Sequence, residues 1–222
     1  MKFTLTIPSP QTMKIGKETF VTLDAETDLH RLHLSQYGAT QFNNSGKGSA
    51  RFSPICKTDG SVIPTIYAAQ SFETAVCEII LRCPDDLLSE DDMPSETIVF
   101  PSDFADYSHS HIRLKKSVLL VDLTTSGQRK IGIDRNVLVT GPTFTYPDTR
   151  AWAEKIHAAC PTAQGLYYTS LQNGPEYAVI LFGDRVPQDA FEGLSTRTLV
   201  EEECHDEICS IADSLSIDYV DV

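Results

Sequence analysis

The sequence predicts a single α+β domain: mixed or antiparallel sheet with helices interspersed. Three observations carry this. Short alternating runs of strand type mingle with amphipathic helical runs, and they do so without regular βαβ alternation. No period of repeat length recurs, and no low-complexity linker divides the chain. At 222 residues, with 41% apolar and 22% charged residues, the chain can bury one sizeable core and does not read as disordered.

Taken in order, residues 3–7, 19–23 and 30–34 alternate like half-buried strands. Residues 41–54, "QFNNSGKGSARFSP", are rich in Gly, Ser and Asn and read as loop, emerging at Arg51-Phe52. A short strand at 65–69 leads into a helix over 71–83, with Pro84 as its stop. The continuous apolar run 117–123 reads as a buried strand. Residues 147–160 are an amphipathic helix with Pro147 in its first turn and Pro161 beyond its end. Strands at 165–171 and 176–182, joined by "QNGP", form an antiparallel hairpin. A strand near 194–200 and a helix around 207–216 close the chain.

A net charge of −13 argues against direct nucleic-acid binding, which relies on clustered Lys and Arg. A small phosphorylated ligand stays compatible if a few arginines converge. Most of the acidic excess lies in residues 84–96 and 200–207, read as a solvated loop and a solvated tail. No run approaches the roughly 18 apolar residues of a membrane span. The N-terminus lacks the apolar core of a secretory signal, so a cytoplasmic location is expected. Six cysteines without a C-x-x-C pair fit reduced structural thiols.

Familiar chemistries fail on spacing. "GKGS" at 46–49 would need Gly at position 41 and Ser or Thr at 48 to be a Walker loop, where Gln41 and Gly48 stand. Cys204, His205 and Cys209 lack a fourth ligand at matching spacing, and His30/His33 and His109/His111 lack a third, so no metal site is expected.

In "SFETAVCEIILRC" (71–83), helical steps put Phe72, Ala75, Val76, Ile79, Ile80 and Cys83 on one face, with Cys77 and Leu81 nearly opposite. A helix apolar almost all round is buried on both sides, and Glu78 is its anomaly. Helical geometry alone leaves two readings: an exposed ion pair with Arg82, or a carboxylate facing a cleft. Arg51 after a Gly-rich loop, Tyr67 in a strand, Ser170 at a strand end and Arg31 among leucines each have ordinary explanations when taken singly.

The blocks "LHRLHL", "GSARFSP" with "IPTIYAAQSFETAVCEII", "TRAWAEKIH" and "GLYYTSLQNGPEYAVILFGDR" resemble, in order, the RES-domain family, named for its arginine, glutamate and serine. The likeness covers roughly residues 29 to 187; Ala50 stands where many members have glycine, and the segment from Arg51 to Tyr67 is longer than in compact members. Residues 1–28 are then an N-terminal extension packed on a domain spanning 29–222. The resemblance implies a fold like that of ADP-ribosyltransferases and action on NAD⁺ as substrate, with no prosthetic group. It implies catalytic roles for Glu78, Arg51 and Tyr67, and NAD⁺ contacts from Arg31, Arg51, Tyr67 and Ser170. It implies a toxin cleaving the nicotinamide–ribose bond by hydrolysis or phosphorolysis, held inactive by a helix-turn-helix antitoxin. The alternatives are ADP-ribosyl transfer to a protein and a non-catalytic nucleotide- or partner-binding domain. The acceptor and the oligomeric state, a homodimer included, stay open.

Overall fold

A computed structural model describes residues 6–82 and 98–219. The chain begins with β1 (Phe20–Leu23), β2 (Asp28–Leu34), the small pair β3 (Ile55–Cys56) and β4 (Val62–Ile63), and β5 (Thr65–Ala69). Helix α1 (Phe72–Ile79) follows, capped by Ser71, whose hydroxyl accepts from Thr74 N. Next come β6 (Ile98–Val99), β7 (Tyr107–Leu114), β8 (Val118–Asp122) and the short helices α2 (Thr125–Lys130) and α3 (Val137–Thr140). Helix α4 (Tyr146–Ala159), the hairpin β9 (Gly165–Thr169) and β10 (Tyr177–Phe182), β11 (Phe191–Thr198), α5 (Glu202–Ser214) and β12 (Asp218–Tyr219) complete the chain.

Eight strands form one sheet in the order β1-β8-β9-β10-β5-β2-β7-β11. Every neighbouring pair is antiparallel except β8 and β9. β1, from the segment before the resemblance, lies at one edge and β11 at the other. The run Tyr177–Phe182 is apolar throughout because both of its faces are covered. Ala178, Ile180 and Phe182 join the core beneath the helices, where Val76, Trp152, Ile156 and Ile208 pack. Val179 and Leu181 point the other way, onto Leu29, Ile66, Ile112 and Leu120. The fold is thus one α+β domain. Among the described residues, no helix is long and apolar enough to cross a membrane.

Three expectations shift. α1 ends at Ile79, well before Pro84: the amides of Ile80 and Leu81 both land on Val76 O, which turns the chain out of the helix while keeping both side chains in the core. The acidic run 200–207 is not a tail, because α5 begins at Glu202, and acidic residues suit a helix N-terminus. The strand expected near 194–200 is β11, which starts at Phe191 and ends at Thr198. The acidic run 84–96, Cys83 and most of the strand expected at 3–7 lie outside the described residues.

Candidate active site

The sheet is nearly split at its centre. β5 and β2 pair at one position, His30 with Ala69, and diverge beyond it. A cleft of about 330 Å³ opens there, large enough to hold a small molecule. Arg31, Arg51, Tyr67 and Glu78, four of the five residues singled out in the sequence, line it together.

Glu78 sits on the last turn of α1, which packs against both β2 and β5. Its Oε1 accepts from Ser170 Oγ at 2.5 Å and from Leu171 N at 3.1 Å, where the hairpin turn meets the helix. The partners are these two donors and not Arg82, so the surface ion pair is replaced by an anchored carboxylate on the cleft wall. Ser170, the fifth residue, is 4% exposed and stands behind Glu78 instead of lining the cleft.

Arg51 is held from outside its own loop. Its Nη1 donates to Gly141 O at 2.6 Å, its guanidinium lies over the ring of Tyr146, and its carbonyl accepts from Thr149 Oγ1 at the start of α4. The Tyr67 hydroxyl accepts from Phe52 N at 2.8 Å, tying this loop to β5 and leaving its own proton to donate. Burial holds the Tyr67 phenol well above the ordinary tyrosine range, so it stays neutral.

Arg31 is buried, with Nη1 donating to Ala39 O at 2.8 Å and Gln41 O at 3.2 Å. Burial lowers its pKa to about 10, so it keeps its charge at neutral pH. Among the described residues no carboxylate pairs with it, and its Nε has no partner. A buried guanidinium in that condition favours an anionic ligand. The cleft therefore sets one fixed carboxylate among three guanidinium groups, those of Arg31, Arg51 and Arg82, an arrangement suited to an anionic molecule that develops positive charge near Glu78.

Sequence reading missed Tyr146 and Gly141, which aim Arg51, because both precede the helix that the spacing marked. It also took residues 172–175 as a turn only, although Asn173 bonds to α1.

The fold is thus α+β with a nearly split sheet, and its cleft sets a carboxylate among arginines. Residues 28–197 match the RES domain, and the chain belongs to that family. No curated protein matches the chain. Among solved structures it is similar to a chain of the M. tuberculosis MbcT-MbcA toxin-antitoxin complex, with 13% identity, a TM-score of 0.62, and coverage of 90% of this chain and 96% of that one. At that identity the likeness is one of fold.

Proposed function

We propose that this protein is an NAD⁺-consuming enzyme that cleaves the nicotinamide–ribose bond, and that it is the toxin of a toxin–antitoxin pair. The observation that carries the reading is Glu78, fixed by two donors on a cleft wall that also presents Arg31, Arg51 and Tyr67. As nicotinamide departs with the bonding electron pair, the ribose gains oxocarbenium character, which the Glu78 carboxylate stabilises. Arg31 and Arg51 pair with the pyrophosphate, supplying local positive charge in a chain of net charge −13. The neutral Tyr67 orients the nicotinamide ring. Water as acceptor yields ADP-ribose and a proton; inorganic phosphate yields the 1-phosphate of ADP-ribose. Membership of the RES family and the fold shared with a toxin of known complex support the toxin reading, with a helix-turn-helix antitoxin as the partner.

The test is nicotinamide release from NAD⁺ by the purified protein, with and without phosphate, beside Glu78→Gln. Removing a preorganised charge of this kind costs about 10²–10³ in rate, and that loss is expected with the fold retained. Wild-type-like release by Glu78→Gln refutes the role of Glu78. Release accompanied by labelled protein product redirects the reading to ADP-ribosyl transfer; no release by wild type under any acceptor condition rejects the enzyme.

A further inference from the structure

The face of α1 that carries Glu78 is hydrogen-bonded along its length to one short segment, residues 170–176. Ser71, Thr74 and Glu78 follow one another at i, i+3 and i+7, a single stripe of the helix. At the C-terminal end, Ser170 Oγ and Leu171 N hold Glu78. In the middle, Asn173 Nδ2 donates to Thr74 Oγ1 at 3.0 Å, and Asn173 N donates to Ser170 Oγ at 3.0 Å. At the N-terminal end, the hydroxyls of Ser71 and Thr74 both donate to Glu176 Oε2. Ser170 N donates to Glu176 O at 2.8 Å and closes the segment on itself.

This pattern leaves the hydroxyl protons little choice. Thr74 Oγ1 accepts from Asn173, so its proton goes to Glu176; Ser170 Oγ accepts from Asn173 N, so its proton goes to Glu78. Thr74 is fully buried, and its hydroxyl also lies within reach of Ser71 Oγ at 3.0 Å, which makes its bonds to Asn173 and Glu176 costly to lose. Ordinary capping of α1 needs only Ser71, which already accepts from Thr74 N at 3.1 Å. Asn173 and Glu176 go beyond that need.

We propose that Thr74, Asn173 and Glu176 are positioning residues for Glu78: they lock α1 against residues 170–176 so that the carboxylate stays on Ser170 and faces the ribose. The role in turnover rests on the reaction proposed above. KM belongs to the arginines across the cleft, so a loosened lock lowers kcat alone.

The experiment compares nicotinamide release by Thr74→Val, Asn173→Ala and Glu176→Ala with Thr74→Ser and Glu176→Gln, which keep the hydroxyl and an acceptor oxygen. Misplacement of a reacting group by about 1 Å costs up to about 10²-fold, so kcat falls by about 10- to 100-fold in the first three, with KM within about twofold. The two conservative variants stay within about threefold of wild type. Wild-type kcat in folded Asn173→Ala and Glu176→Ala overturns the proposal, as does an equal loss in the conservative variants. Should Thr74→Val fail to fold, Asn173→Ala, altered at a half-buried turn, carries the test. A crystal structure of Asn173→Ala gives a readout independent of turnover. If wild type releases no nicotinamide, the reaction is rejected, and the positioning role stands or falls on whether Glu78 Oε1 leaves Ser170 Oγ in that variant.

Discussion

The guanidinium of Arg51 lies over the ring of Tyr146, 4.9 Å from its centroid, while Gly141 O fixes its Nη1. Arg51 enters from a Gly-rich loop, and this stacking orients it. A cation–π contact of this kind is worth about 0.5–2 kcal/mol. Tyr146→Ala is accordingly expected to raise KM for NAD⁺ by about 3- to 10-fold with a smaller effect on kcat, and Tyr146→Phe to stay near wild type. Steady-state kinetics check both; equal KM values in Tyr146→Ala and wild type remove Tyr146 from the site.

Ser170→Ala separates two roles for one hydroxyl. The family resemblance implies contact with NAD⁺, whose loss would raise KM. The structure puts Ser170 behind Glu78, so the expected result is a kcat lower by about 10-fold or more with KM nearly unchanged. A raised KM with intact kcat returns Ser170 to the substrate.

Stability is expected to fall as pH drops from 7 toward 5, through the buried histidines. Burial, then neighbouring His30 and Arg197, lowers the pKa of His109 to about 3; His30 and His33 shift downward for the same leading reason. The ring must protonate on unfolding at an ordinary histidine pKa of about 6.5, so its contribution is full above that value and is lost as pH drops toward 3. His109 alone accounts for about 2 kcal/mol at pH 5. Asp28 and Glu207, held below the usual carboxylate range by Arg113 and Arg197, act only at still lower pH. Urea unfolding between pH 7 and 5 measures the slope. His109→Asn should flatten it, and an unchanged slope would exclude His109 as its source.

Gly165 opens β9 where no side chain fits. A Cβ there would sit 2.2 Å from Ile180 O and 3.0 Å from Leu181 Cα and Leu120 Cδ2, so the backbone of β10 must move and the Leu120 side chain must give way. Gly165→Ala is expected to cost about 1–3 kcal/mol or more, read as a lower thermal midpoint.

Periodicity made most of the sheet legible, since Tyr177–Phe182 and Thr65–Ala69 bury apolar side chains. It failed at Tyr107–Leu114, the strand next to the β11 edge, because three of its buried residues, Ser108, His109 and Ser110, are polar. Ser110 is buried between His33 Nε2 at 2.7 Å and Thr196 Oγ1 at 2.8 Å, and His109 meets His30 at 3.0 Å. Such a strand is stabilised by partners from β2 and β11 that no local window contains. The site divides in the same way. Glu78 stood out as a charge in an apolar helix, and the resemblance supplied Arg31, Arg51, Tyr67 and Ser170. Tyr146, Thr74, Asn173 and Glu176 act through contacts distant in sequence and left no local mark.

The lone pairing of His30 with Ala69 makes the eight strands two blocks sharing one rung: β1-β8-β9-β10-β5 on one side, β2-β7-β11 on the other. Arg31 belongs to the second block, and Tyr67 and Ser170 to the first. A molecule gripped by Arg31 and Tyr67 at once takes the place of the missing ladder, so an occupied cleft is also a mended sheet.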